Sequence, residues 1–186
     1  MSEEAELLRL LRAAVDRERP YAGFFDWPDR SVAEIGIAST FVAAAHGEVG
    51  FPLRDLRSRR LGEDPPDCEA TDQTGARIAL EVTELVDEEA IVRARRSGGN
   101  EWAQWDAPKL IDAIQARLRA KGTKRLKGGP YAEYIVLIHT DEPALSIEIV
   151  ANALADAQFT AAVQVGRAYL LLSYHPGRGY PFVRLI

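Results

Sequence analysis

The chain has 186 residues, 47% hydrophobic and 27% charged, with a formal net charge of −5. That is the make-up of one folded domain with a single core, and it excludes disordered and fibrous classes. One cysteine, Cys68, excludes a disulfide framework and any multi-thiolate metal centre. The longest apolar runs, such as Tyr134 to Ile138, fall far short of the ~20 residues of a membrane helix, and the acidic start Met1-Ser2-Glu3-Glu4 does not read as a secretory signal. A cytoplasmic protein without membrane contact is expected.

Leu7, Leu8, Leu11, Ala14 and Val15 recur at helical spacing, so residues 2–19 are expected to form a packing helix stopped by Pro20. An aromatic loop (Tyr21, Phe24, Phe25, Trp27) leads to a second helix, Ser31 to His46, carrying Glu34. Val49 to Leu61 reads as a short extended piece, followed by the helix-forbidding loop Gly62 to Pro66. Cys68 to Thr71 and Arg77 to Leu85, joined at Asp72-Gln73-Thr74-Gly75, read as a hairpin. Asp87 to Arg96 has acids in its first turn and arginines in its last, as the helix dipole favours. Asp106 is an N-cap candidate, and Leu110, Ile111, Ile114 and Leu118 form one stripe running up to Gly122.

Tyr131 to His139 is an apolar run of strand length, as for a strand covered on both faces. Ser146 to Ala157 reads as a helix, and Ala161–Val165, Ala168–Tyr174 and Tyr180–Leu185 read as strands. The expectation is an α/β (α+β) single domain, 1–186, with one mixed sheet between helices. Residues 1–20 would be the packing helix, 31–139 the core, and 140–186 the helix and strands that complete the sheet.

Side chains alternate across a strand, so Glu81 and Thr83 share one face of the hairpin arm while Leu80 and Val82 take the other. A charge among Ile, Leu and Val costs stability unless it is paired or binds a metal. If Asp67 opposes Glu81, two hard oxygen ligands converge, which suits Mg²⁺ or Mn²⁺. Such an ion activates water and neutralises charge on a phosphate.

Pro66-Asp67, then Glu81-Val82-Thr83 fourteen residues later, then a helix and an apolar strand, resembles the PD-(D/E)XK nuclease superfamily. More closely, Glu63-Asp64-Pro65-Pro66-Asp67-Cys68-Glu69-Ala70 with Glu81-Val82-Thr83-Glu84-Leu85 is similar to uncharacterised bacterial families assigned to it. The resemblance implies a restriction-endonuclease-like core of order αβββαβ. It implies Asp67 and Glu81 as metal ligands, the Val82 carbonyl as a third, and an acid on the preceding helix, a role for Glu34. The pattern departs at Thr83, where the superfamily has lysine. Members of the superfamily move that basic residue to the following helix. At 100° per residue Lys121 lies about 20° from Ile114, in line with the core stripe, which makes it the first candidate and Lys124 the second.

From Arg93 to Lys127 the chain holds ten basic residues against three acids. Arg93, Arg95, Arg96, Arg117, Lys124 and Lys127 are therefore candidates for gripping a nucleic acid backbone, with DNA ranked ahead of RNA, and Trp102 and Trp105 for stacking on bases. Plainer readings stand beside these. Glu34 has capping-box spacing from Ser31, Asp67 suits a turn start, and Lys121 suits a helix C-terminus. The tryptophans suit packing, His139 is a lone histidine at a strand end, and Cys68 suits burial without chemistry. The expected function is metal-dependent phosphodiester hydrolysis. The alternatives are a catalytically degenerate relative that binds nucleic acid or protein, as a homodimer or within a larger bacterial system, and an enzyme acting on another anion.

Overall fold

The computed structural model describes residues 21–23, 29–46, 53–59, 62–97 and 102–186. The helix expected over 2–19 and the aromatics Phe24, Phe25 and Trp27 lie outside the described residues. In chain order the described elements are α1 (Arg30–Ala45), β1 (Arg54–Ser58), β2 (Cys68–Thr71), β3 (Arg77–Glu84), α2 (Glu88–Ser97), α3 (Ala107–Gly122), β4 (Glu133–Thr140), α4 (Ile147–Leu154), β5 (Arg167–Leu172) and β6 (Phe182–Arg184). The strands form one six-stranded mixed sheet in the order β1-β2-β3-β4-β5-β6. Its centre, β3-β4-β5, is parallel, and antiparallel strands complete both edges.

Local chemistry sets the element ends. Asp29 caps α1, its carboxylate accepting from the amides of Ser31 (2.8 Å) and Val32 (3.3 Å). The capping-box expectation for Ser31 and Glu34 is thereby corrected: the cap lies two residues earlier, and Glu34 faces Arg30 across one helical turn at 2.6 Å. Asp72 closes the β2–β3 turn by accepting from Thr74 and Ala76, and Gly75 supplies the positive φ of 82° that the turn requires. Asp106 caps α3 and Ser146 caps α4 through side-chain bonds to Lys109 N and Ile149 N. Residues 161–165 are not the expected strand. They form an irregular turn, with Val165 N bonded to Ala162 O and Val163 fully exposed, and they pair with no strand among the described residues.

The sheet divides two cores. On one face Ile37, Ala38 and Phe41 of α1 pack on Ile78, Leu80, Val82, Ile135 and Leu137. On the other, Leu110, Ile114 and Leu118 of α3 and Val150 of α4 cover Ala79, Val136, Ile138 and Leu170. All of β4 from Tyr134 to Thr140 is buried, as its unbroken apolar run requires. Glu81 shares the α3 face with Ala79, and this alternation aims its carboxylate at the last turn of that helix. No helix among the described residues is long and apolar enough to cross a membrane.

Candidate active site at the open end of the β2–β3 hairpin

The register Cys68↔Leu80 and Glu69↔Ala79, carried one residue further, sets Asp67 opposite Glu81. Both carboxylates are buried, with 2% of Asp67 and none of Glu81 exposed. Asp67 is held by its backbone and its side chain. Its carbonyl accepts from Arg59 N (2.9 Å), and its Oδ2 accepts from Val82 N (2.8 Å).

Glu81 is met by two ammonium groups. Lys121 Nζ donates to Glu81 Oε1 (2.7 Å) and to the Val82 carbonyl (3.0 Å), and Lys124 Nζ donates to the same Oε1 (2.6 Å). Lys121 is buried at the end of the α3 core stripe, and Lys124 is half-buried just past the helix end. The turn carrying both lysines is fastened in three ways. Lys124 N bonds Lys121 O (3.1 Å), Tyr134 Oη donates to Lys121 O (3.1 Å), and Gln164 Nε2 donates to the carbonyls of Gly122 (2.5 Å) and Lys124 (2.8 Å). Gly122 is required here, since a Cβ on it would lie 2.9 Å from that of Ala162.

The electrostatics follow from this burial. Loss of solvent and the neighbouring charge of Glu81 push the Asp67 carboxyl up to about 6, against the bond from Val82 N. Burial alone would lower the Lys124 pKa, but its contacts with Glu81 outweigh that and raise it. Burial pushes the Cys68 thiol up to about 12, so it stays protonated and packs as a small apolar group.

The second carboxyl oxygen of Glu81, Oε2, is buried with no hydrogen-bond partner among the described residues. A buried anionic oxygen without a donor suits a cation, and two carboxylates beside a carbonyl are the hard ligands that Mg²⁺ or Mn²⁺ prefers. Asp67, Glu81 and the Val82 carbonyl would hold such an ion. Glu34 lines the same cleft as Asp67, with its Oε1 bonded to Arg30 (2.6 Å). No group of three or more His, Cys, Asp or Glu side chains able to hold a metal occurs among the described residues.

A cleft of about 470 Å³ opens beside Asp67, lined also by Arg30, Glu34, Ser58, Arg59 and Asp64. Arg30 and Arg59 went unnoticed in the sequence. Arg30 lies 3.7 Å from Asp67 and had a local signal in its i,i+4 spacing to Glu34. Gln164, forty residues beyond Lys124, had none.

Other expected residues sit elsewhere. Arg93 pairs with Glu89 (3.5 Å), and Arg95 and Arg96 lie exposed on α2. Arg117 is part-buried, and its guanidinium donates to the carbonyls of Glu84 (2.7 Å), Ala113 and Val86. Lys127 bonds Gly62 O (3.1 Å). His139 is buried three ladder pairs beyond Glu81. Trp105 lies beneath Lys109, whose ammonium is 4.7 Å from its ring, and Trp102 is exposed. Compared with known proteins, the chain matches no family model, no curated protein and no solved structure.

Proposed function

We propose that the chain is a metal-dependent phosphodiesterase acting on nucleic acid, of the PD-(D/E)XK type, with Lys121 standing in for the lysine that Thr83 replaces. The observation that carries this reading is the meeting of Asp67, Glu81, the Val82 carbonyl and a buried lysine at one strand end. The described element order α1, β1, β2, β3, α3, β4, with α2 inserted before α3, also suits a restriction-endonuclease-like core.

A bound divalent cation supplies Lewis-acid chemistry, lowering the pKa of water and offsetting charge at phosphorus. The chain's own groups do the rest. Lys121 brings a desolvated positive charge to the two carboxylates, where a phosphate oxygen can take over part of its hydrogen bonding. Lys124, nearer solvent and held protonated by Glu81, orients the incoming phosphate. Asp67, with a pKa of about 6, is ionised at neutral pH and ready to bind a cation.

One observation favours the degenerate, binding-only reading: both lysines engage the same oxygen of Glu81, so its charge is already balanced. Incubation of wild type and Glu81→Gln with DNA or RNA and Mn²⁺ decides between them. Cleavage by wild type that the variant loses by about 100-fold or more supports the enzyme. Binding by both with cleavage by neither sinks it.

A further inference from the structure

We infer that the arginine cluster around Glu69, on the β1–β2 edge beside the Asp67 cleft, is the docking strip for the phosphate backbone of the nucleic acid. The inference rests on the phosphodiesterase reading for its choice of polyanion. Glu69 is almost fully buried, yet it is surrounded by cations from three places in the chain. Arg57 Nε donates to its Oε1 (2.6 Å), Arg77 Nη2 donates to its Oε2 (2.6 Å), and Arg59 Nη1 lies 3.7 Å from Oε2. Tyr131 Oη donates to the same Oε2 (3.2 Å) and supports the Arg77 guanidinium, which stacks 4.7 Å above its ring.

One carboxylate is balanced by one guanidinium, so the cluster carries surplus positive charge. Among the described residues, Glu63, 3.8 Å from Arg59, is the one further acid ion-paired to these arginines. Fixing that surplus on a buried carboxylate pre-organises it, since the arginines lose little further freedom when an anion arrives. Arg57 is 69% exposed while pinned in this way, so its charge faces solvent.

Two features tie the strip to the cleft. Glu69 lies in β2 only two residues beyond Asp67, which precedes that strand. Arg59 lines the cleft and also touches Glu69. A phosphate at Asp67 and Glu81 would therefore have its neighbours on the same strand near these arginines. None of the large exposed hydrophobics among the described residues lies in the strip, which argues for a polyanion over an apolar protein face.

Fluorescence anisotropy of dye-labelled single-stranded and duplex oligonucleotides, in EDTA and over a range of salt, tests this. Arg57→Ala should weaken binding roughly 5- to 10-fold and lower the slope of log K against log salt by about 0.7–0.9, while Arg57→Lys keeps the slope. The proposal is overturned if Arg57→Ala and Arg57→Glu bind like wild type, if Arg95→Ala/Arg96→Ala carries the loss instead, or if wild type does not bind. Competition by polyglutamate as strong as by DNA would also overturn it, pointing to an acidic protein surface. Mn²⁺ cleavage assays on the same proteins separate the two claims. Arg57-dependent binding without any cleavage keeps the strip and removes the enzyme, and cleavage indifferent to Arg57→Glu does the reverse.

Discussion

Lys121, in the last turn of α3, donates to Oε1 of Glu81 in β3 across 2.7 Å, and both residues are buried. Removing one partner of such a pair leaves the other charge desolvated, which costs more than the pair itself contributes. Because Lys124 still pairs with Glu81, Lys121→Met should lower stability by less than the roughly 3 kcal/mol of a fully unpaired buried charge, as urea unfolding would read. The double variant Glu81→Gln/Lys121→Met should lose less than the sum of the two single variants. Additive losses would mean that the two groups do not interact.

Asp67 gives a pH signature. Its folded pKa of about 6 lies above the ~3.9 of an unfolded aspartate, so between these values the folded state holds the proton more often. Stability then falls as pH rises from about 4 to about 6 and levels off above. In EDTA at pH 8, Asp67→Asn should be more stable than wild type by about 2–3 kcal/mol, with the difference shrinking towards pH 4. Equal stability at both pH values would show that the carboxyl is not strained by its surroundings.

Glu69 behaves oppositely. Burial raises its pKa, but the bonds from Arg77 and Arg57 outweigh this and hold it below the ordinary glutamate value. Its contribution is present above the unfolded pKa and is lost as pH falls through the folded one. Glu69→Gln should flatten the acid limb of the stability curve below the usual glutamate range, a change that thermal melts at successive pH values would record.

Ligand linkage tests the cation directly. Mn²⁺ at about 100 times its dissociation constant should stabilise the protein by about 2.7 kcal/mol, and EDTA should reverse the shift. Glu81→Gln should abolish the response. A melting temperature indifferent to Mn²⁺ in wild type would remove the metal from the account.

Gly122 holds the turn that presents Lys121 and Lys124. Gly122→Ala would drive a methyl to 2.9 Å from Ala162 Cβ and 3.3 Å from its backbone nitrogen. The clash should outweigh the gain in helix propensity, for a net loss of about 1 kcal/mol and weaker Mn²⁺ stabilisation. Unchanged stability would mean that the 161–165 segment yields freely.

The parts of the molecule legible in its sequence were those with local causes. The α3 stripe and its Asp106 cap, the Asp72–Gly75 turn, the all-buried β4 and the alternation that separates Glu81 from Val82 follow from helical phase, turn chemistry and pleat. Helical phase likewise aims Lys121 at the sheet. What needed the folded chain was everything set by long-range packing. That includes the failure of 161–165 to become a strand, the bonds of Glu34 to Arg30 and of Arg117 to carbonyls, and the gathering of three arginines on Glu69. Local periodicity specifies which way a side chain points. Only the closed sheet decides which partner it finds there, because a charge leaving water binds to whatever opposite charge or carbonyl the fold brings within reach.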